Sequence, residues 1–248
     1  MNPNYSLLLH GFEVHSVEKI EQALSAGIDP NGLVDGKSPL TELIEMYYRS
    51  PQFSDCVSCL IQSGATCHNQ ALLAVLLDDA AMLEKIIRER PGVIHDTLDI
   101  RCAFTPLMGV TLLHVACEYG LVKSATALIQ AGADIEAKAA VDSYGFNGHT
   151  PIFHTVCQHR NHGLPVLQLL LAHGARADVR LSGITWGKGF EWETTVFDAT
   201  PRSYAQAGLL PQFQRNEQDV YTNIRLLSAA SNRPLPANLN VPNEYLQS

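Results

Sequence analysis

The amino-acid sequence predicts an all-α fold, a solenoid of about six helix-turn-helix units with a β-hairpin inserted near residues 183–197. Two observations predict the solenoid: a glycine-terminated segment recurs along the chain, and a hydroxyl residue precedes most of the predicted units. A third observation predicts the hairpin, because β-branched and aromatic residues flank a glycine-rich turn.

The recurring segment closes an amphipathic helix in each predicted unit. Its four copies end at Gly27, Gly64, Gly132 and Gly174. Apolar residues three and four positions apart precede each glycine, which is the spacing of one helical face. Glycine then supplies the left-handed backbone conformation that ends a helix. Gly64 and Gly132 are 68 residues apart, twice 34, which predicts a further helix pair between them, at 69–79 and 80–90.

Hydroxyl residues mark the start of several units. They are Ser38, Thr111, Thr150 and Thr200, and proline follows three of them. The hydroxyl caps the free N–H groups of the first turn, and proline fits the first helical position because its missing N–H is harmless there. The units are therefore predicted at about 5–31, 36–68, 69–98, 109–138, 148–180 and 198–230.

This pattern resembles the ankyrin repeat, whose unit is about 33 residues long and carries a Thr-Pro-Leu-His-x-Ala signature. The segment from Thr111 to Asp134 matches it best, with His114 and Ala116 at the signature positions. Other units depart from the pattern, and Phe153 occupies the histidine position of the fifth. The resemblance implies one ankyrin-repeat domain over 1–231, and the proline spacing beyond it predicts an extended tail at 232–248.

The resemblance also implies a function, a non-catalytic protein–protein interaction module without a cofactor. It implies a protein partner of unidentified kind, bound on the concave face and loop tips. It further implies that His114 is structural and bonds to neighbouring backbone, whereas Glu118 and Tyr119 on the same helix lie where ankyrin proteins meet their partners.

Insertions between repeat units map to one face and often carry function. The loop at 137–147 presents Tyr144 and Phe146, and the hairpin carries both tryptophans. Tryptophan is enriched at binding hot spots, yet the same rings could pack the hairpin onto the solenoid, and both interpretations stay open. The predicted partner-binding residues are Glu118, Tyr119, Tyr144, Phe146, His149, His154, Gln158, Trp186, Lys188 and Trp192.

Two clusters raise the alternative of metal or ligand chemistry. Cys56 and Cys59 form a C-x-x-C pair near Cys67, which suits zinc or redox chemistry, but their register favours core packing. Histidines recur between 149 and 162 without the spacing of a known zinc module. The alternative hypothesis is a metal- or small-molecule-binding protein or an enzyme, with its site between this cluster and the aromatic hairpin. A cavity with converging His, Glu and Arg side chains would favour it over an open groove.

Charge and hydropathy restrict partners and location. The chain has 17 Lys and Arg against 25 Asp and Glu, a formal charge of −8, which disfavours binding to a phosphate backbone. The apolar runs are far shorter than the roughly 20 residues that span a bilayer. The amino-terminal residues do not resemble a secretory signal. The expectation is a cytoplasmic monomer that binds neither nucleic acid nor membranes, although a role as an exported effector stays open.

Overall fold

Helices dominate the computed structural model, which describes residues 3–102, 107–210 and 214–235. The helices are α1 (Pro3–Val14), α2 (Val17–Ser25), α3 (Pro39–Glu45), α4 (Phe53–Gln62), α5 (Gln70–Leu76), α6 (Ala80–Glu89), α7 (Leu112–Glu118), α8 (Val122–Gln130), α9 (Leu164–Ala172), α10 (Pro201–Ala207) and α11 (Glu217–Ala230). The strands are β1 (Thr97–Ile100), β2 (Leu107–Thr111), β3 (Leu181–Trp186) and β4 (Thr194–Ala199). Three 3-10 helices lie at Pro91–His95, Pro151–Thr155 and His159–Asn161.

The predicted all-α solenoid of about six helix-turn-helix units is wrong. Two separate antiparallel sheets, β1–β2 and β3–β4, interrupt the helices. Within the predicted fifth unit, two 3-10 helices stand where the first α-helix was expected. Arg160 and Asn161 adopt positive φ angles of 51° and 53° there, a backbone that an α-helix cannot accommodate.

The local signals for helix ends are confirmed. The four recurring glycines, at 27, 64, 132 and 174, have φ angles of 96°, 97°, 88° and 85°, in the left-handed region that ends a helix. The Ser38 hydroxyl accepts from the Thr41 N–H at the start of α3, and Pro39 occupies the first turn. Helix ends are therefore set by residues within a few positions of each other, and such short-range interactions are readable from sequence.

The β-hairpin is present and is anchored to a neighbouring loop. Strands β3 and β4 pair from Leu181 with Ala199 to Trp186 with Thr194. The Asn147 N–H donates to the Gly183 carbonyl oxygen at 2.8 Å, and Lys188 Nζ lies 3.2 Å from Asp142 Oδ2. The hairpin and the 141–147 loop therefore form one continuous part of the surface.

Helix α8 is held by a buried leucine at its carboxyl-terminal end. The helical spacing of apolar residues in the sequence predicts full burial of both Leu128 and Ile129. Leu128 is fully buried, whereas Ile129 is only half-buried. The prediction for Ile129 is therefore wrong, because its position lies at the border of the helix's apolar face.

We expect Leu128→Ala to lower the unfolding free energy by about 2–5 kcal/mol, since it removes buried surface and leaves a cavity. Ile129→Ala, one residue away on the same helix, is the matched control and should cost clearly less. Urea denaturation followed by circular dichroism measures both. Equal losses would show that the two side chains share one environment.

The predicted boundary between a domain at 1–231 and a tail at 232–248 stays a prediction. Helix α11 ends at Ala230, close to that boundary. Residues 236–248 of the predicted extended tail lie outside the described residues.

Candidate functional site

A cavity of about 300 Å³ opens between the carboxyl-terminal end of α7, the 3-10 segment at 151–161 and the hairpin. We call it the histidine pocket. Its walls combine aromatic, histidine and charged side chains from distant parts of the chain. They are Tyr47, Tyr48, Arg49, Glu118, His149, Phe153, His154, Cys157, Gln158, His159, Ile184, Trp186, Tyr204 and Arg215.

One wall is a buried chain of three ionisable side chains. Arg49 Nε donates to Glu118 Oε1 at 3.1 Å, and His154 Nδ1 lies 2.8 Å from Glu118 Oε2. Each carboxylate oxygen thus has its own partner. Because a carboxylate only accepts, His154 Nδ1 carries a hydrogen.

Arg49 is held on all sides by groups that suit a cation. Its guanidinium lies 4.3 Å from the centroid of the Tyr119 ring and donates to the carbonyl oxygens of Met46 and Tyr48. Burial alone would raise the pKa of Glu118, but the Arg49 charge and the His154 hydrogen bond outweigh it and lower that pKa. Glu118 is therefore an anion beside a permanent cation.

Three histidine rings meet behind this wall. The ring centroids of His149 and His154 are 4.6 Å apart, and His114 lies 5.7 Å from His154. His114 Nε2 lies 3.1 Å from the His149 carbonyl oxygen, while its Nδ1 accepts from the Thr111 N–H. The structural role that the ankyrin resemblance implied for His114 is confirmed, because its ring links α7 to the backbone at His149.

Burial keeps two of these rings, His114 and His149, uncharged. It lowers the pKa of His114 to about 3, with a further contribution from the nearby His154 ring. Burial also lowers the pKa of His149 well below its ordinary value, and both histidine neighbours add to that effect. His114 and His149 are therefore neutral at physiological pH.

Several buried polar atoms of residues that line the pocket have no hydrogen-bond partner among the described residues. They are both ring nitrogens of His149, Nε2 of His154 and Oε1 of Gln158. Gln158 Nε2 donates to the carbonyl oxygens of Cys117, Glu118 and His154, which fixes the amide orientation and leaves Oε1 as the acceptor. These atoms are shielded from solvent, so the residues that line the pocket leave buried hydrogen-bonding capacity unused.

The opposite wall is aromatic. Trp186 of β3 is buried, and its indole N–H donates to the Tyr204 hydroxyl. The Phe153 and Tyr204 rings lie 6.0 Å apart. Arg215, which lies between α10 and α11, also lines the pocket. Its Nε donates to the Cys157 carbonyl oxygen at 2.8 Å.

A second feature lies on the outside of the hairpin. Large hydrophobic side chains of the hairpin and the 141–147 loop are exposed, and we call them the aromatic edge. They are Val141, Tyr144, Phe190, Trp192 and Phe197. The Phe190 and Trp192 rings stack at 5.0 Å, and Trp192 covers Gly187, where a Cβ atom would lie 2.0 Å from the indole.

The structure divides the predicted partner-binding residues into three groups. Residues on the pocket wall are Glu118, His149, His154, Gln158 and Trp186. Tyr119 is fully buried beneath Arg49. Residues of the hairpin and the 141–147 loop are Tyr144, Phe146, Lys188 and Trp192, and Phe146 is half-buried against Phe197.

Sequence reasoning missed several residues of the pocket. Arg49 and Tyr48 belong to the insertion between α3 and α4, and Tyr204 and Arg215 come from the carboxyl-terminal segment. The sequence signal that could have identified Arg49 as a pocket residue is a single arginine between a tyrosine and a serine. No local pattern identifies Arg215.

The C-x-x-C cysteines pack in the core. Cys56 and Cys59 are buried, and Cys67 is half-buried. Burial raises the pKa of Cys56 to about 12, so its thiol is a poor metal ligand. Across residues 3–102, 107–210 and 214–235, no group of three or more His, Cys, Asp and Glu side chains has an arrangement that could hold a metal ion.

Comparison with known proteins identifies the segment that contains α7 and α8. The ankyrin repeat family model matches residues 108–140, which include His114 and Gly132. The chain contains an ankyrin repeat. The resemblance to the ankyrin-repeat family is confirmed, and the match covers one repeat of the six units predicted.

One curated protein is similar in sequence to part of the chain. It is the B-cell lymphoma 3 protein homolog of Mus musculus, which is 38% identical over 73 residues. The match covers 29% of this chain and 14% of the relative, so the chain spans a small part of that protein's length. Among the described residues, the helices are all too short or too polar to cross a bilayer.

Proposed function

We propose that this ankyrin-repeat chain is a protein–protein interaction module that binds its partner through the aromatic edge. The observation that carries the proposal is the clustering of exposed apolar side chains. Of the eleven large hydrophobic residues exposed in the described part of the chain, five lie on the hairpin and the 141–147 loop. Exposed apolar clusters of this kind are typical of interaction sites.

The edge residues are of the type that dominates binding energy. Tyr144 is 77% exposed and Trp192 is 41% exposed, and such rings bury a large area at a small cost in side-chain entropy. The Phe190–Trp192 stack and the Lys188–Asp142 ion pair hold the surface in place before a partner arrives. A preorganised surface loses less entropy on binding.

The ankyrin repeat supports the same class of function. Arg49 contacts both Glu118, the last residue of α7, and the adjacent Tyr119. The proposal therefore assigns partner contact to the aromatic edge rather than to this helix end. The aromatic edge is apolar rather than basic, and this chain as a whole is acidic. Both features fit a protein as the partner.

The test is affinity capture from the native cell with the full chain. The edge variant Tyr144→Ser/Trp192→Ser is expected to weaken capture of the specific partner by about tenfold or more, since both side chains are proposed hot spots. The matched control is Leu33→Ser, which replaces a side chain that is exposed elsewhere on the surface. Equal capture by all three proteins, with unchanged melting temperatures, would contradict the proposed surface.

Fluorescence provides a second reading of the same surface. Acrylamide is expected to quench Trp192 in the free protein much more than the buried Trp186. Trp186→Phe isolates the Trp192 signal for this comparison. Bound partner should then protect Trp192 from the quencher, and undiminished quenching in the complex would place the contact elsewhere.

A further inference from the structure

We propose that the outer edge of strand β4 binds an extended segment of the partner protein, which joins the β3–β4 sheet as a third strand. The segment carries apolar residues at alternate positions and basic residues at one end. This inference rests on the protein-binding function proposed above and adds the kind of peptide that the hairpin recognises. Its support comes from the direction of the β4 backbone groups, the composition of the strand and the charge beside it.

Contacts on the far side of β3 show which backbone groups of β4 face outward. The Gly183 carbonyl oxygen accepts from the Asn147 N–H at 2.8 Å, and the Thr185 N–H donates to Asn147 Oδ1 at 3.4 Å. Gly183 and Thr185 therefore point these groups away from β4. In an antiparallel pair, opposite residues either bond to each other or both face outward. Their partners in the register, Phe197 and Thr195, thus present N–H and C=O groups at the outer edge of β4.

A side-chain contact supports the same assignment. The hydroxyl oxygens of Thr185 and Thr195 are 3.1 Å apart, and side chains lie closer together in the pairs that do not exchange backbone hydrogen bonds. Apart from the pairing with β3, Thr195 and Phe197 make no backbone hydrogen bond to any residue that the structure describes. Two N–H donors and two carbonyl acceptors are therefore available to a further strand.

The composition of β4 suits strand addition. Natural proteins commonly protect an exposed strand edge with lysine, proline or a bulge. The four residues from Thr194 to Phe197 include no lysine and no proline, and all are β-branched or aromatic. The regular edge ends at Asp198, whose φ angle is 50°. The edge therefore fits a short strand of about five residues.

One face of the sheet selects apolar side chains in the added strand. Thr195 and Phe197 are two positions apart and share this face, and the Phe146 ring lies 5.5 Å from the Phe197 ring. Phe197 is nevertheless 68% exposed. A residue opposite it in a neighbouring strand has its Cβ atom about 5 Å away, so a valine, isoleucine or aromatic side chain there covers the ring. The alternation of strand side chains repeats this requirement at every second position of the segment.

The charge beside the edge selects basic residues. Glu191 and Glu193 are exposed just before β4 begins, and neither forms an ion pair among the described residues. Lys188 of the same hairpin is already paired with Asp142. The glutamates therefore favour lysine or arginine at the end of the segment that lies beside them. A second copy of this chain is a poorer occupant, because two chains with a formal charge of −8 repel each other.

Hydrogen exchange measured by nuclear magnetic resonance on the full chain tests the proposal. The probe is the synthetic peptide acetyl-Thr-Val-Thr-Val-Thr-Lys-Lys-amide, whose lysines lie beside the glutamates when it pairs antiparallel to β4. At saturating peptide, exchange of the Thr195 and Phe197 amide hydrogens is expected to slow by about tenfold or more. The Val196 amide faces β3 and is the internal reference, because its exchange should change little.

A modified peptide and a pair of variants separate backbone pairing from contact through side chains. N-methylation of both valines removes the two donors that face β4, and should raise the Kd by about tenfold or more. Thr195→Pro removes an outward N–H without removing a bond to β3, and should raise the Kd of the unmodified peptide to a similar extent. Thr195→Val is the matched control, because it loses the same hydroxyl but keeps the N–H, and should bind as the wild type does.

Three results would overturn the proposal. The first is equal binding of the N-methylated and unmodified peptides, or unchanged exchange at Thr195 and Phe197. The second is protection of these amides in the free monomer, which would mean that another segment of the same chain covers the edge. The third is a dimer in sedimentation that Thr195→Pro abolishes, which would make a second copy the occupant. If Thr195→Pro unfolds, the N-methylated peptide decides between the outcomes.

Partner capture distinguishes a failure of strand addition from a failure of the proposed function. Capture that Tyr144→Ser/Trp192→Ser abolishes and Thr195→Pro leaves intact would keep the aromatic edge as the interaction surface and overturn strand addition. Capture that Thr195→Pro abolishes, and that Thr195→Val and Tyr144→Ser/Trp192→Ser leave intact, would support strand addition and contradict the aromatic hot spots.

Discussion

Replacing Glu118 with alanine is expected to lower the unfolding free energy by about 3–5 kcal/mol. The side chain is 15% exposed and accepts hydrogen bonds from both Arg49 and His154. Without it, the Arg49 guanidinium stays buried against Tyr119 with its countercharge removed, and Arg49 cannot release its proton. The cost is thus that of a stranded buried cation, which exceeds the value of the ion pair itself.

Two comparisons make this expectation specific. Glu118→Gln keeps one acceptor oxygen but removes the charge, and should lose less stability than Glu118→Ala. Asp96→Ala breaks the exposed Arg90–Asp96 pair, whose side chains are 63% and 58% exposed, and should cost less than about 1 kcal/mol. Urea denaturation of the three variants measures the differences. A loss for Glu118→Ala as small as that for Asp96→Ala would show that water screens the Arg49 charge.

A double variant tests whether the stranded charge is the cause. Arg49→Met/Glu118→Leu removes both charges and should be more stable than Glu118→Ala alone, because no unpaired ion is left. The recovery is expected to be partial, since the carbonyl oxygens of Met46 and Tyr48 also lose their donor. A double variant less stable than Glu118→Ala would show instead that packing of the arginine side chain provides the stability.

Structural features that depend on interactions between residues a few positions apart could be predicted from the sequence. The glycine stops of the helices, the cap at Ser38 and the β3–β4 hairpin depend on local backbone chemistry, and all are present. The repeat around His114 was also recognisable, because the signature positions 111–116 carry a capping interaction and an inter-segment hydrogen bond.

Features that depend on tertiary contacts could not be predicted from the sequence. Arg49 and Glu118 are 69 positions apart, and no periodic pattern relates an insertion residue to a helix end. The 3-10 segment replaced an expected helix because the sequence from Cys157 to Gly163 turns at Arg160 and Asn161, whose positive φ angles have no distinctive sequence signal. The number of repeats was overestimated for the same reason, since helix periodicity alone does not fix how helices stack.

Acidification is expected to destabilise the protein strongly between about pH 6.5 and pH 4, through its buried histidines. The pKa of His114 is lowered to about 3 and that of His15 to about 4, in both cases mainly by burial. In this range the unfolded chain binds protons on these rings that the folded chain does not bind. Stability is therefore complete above about pH 6.5 and falls as the pH is lowered.

The magnitude follows from the pKa differences. Each pKa unit corresponds to about 1.4 kcal/mol, so His114 and His15 each contribute a loss of about 3 kcal/mol by pH 4. The sum is a large part of the roughly 5–15 kcal/mol that stabilises a typical domain. His149, whose pKa is also lowered by burial, acts in the same direction.

Urea midpoints measured at pH 7.5, 6, 5 and 4 test this expectation. His15→Leu is the informative variant, because His15 has one side-chain hydrogen bond, to Ser50 Oγ, and is not among the residues that line the histidine pocket. It should remove about 3 kcal/mol of the loss between pH 6.5 and pH 4, which is the contribution of that ring. His173→Leu, which replaces an exposed ring, is the matched control. A wild-type stability that is constant from pH 7.5 to pH 4 would mean that His114 and His15 protonate equally in the folded and unfolded chains, which their burial should prevent.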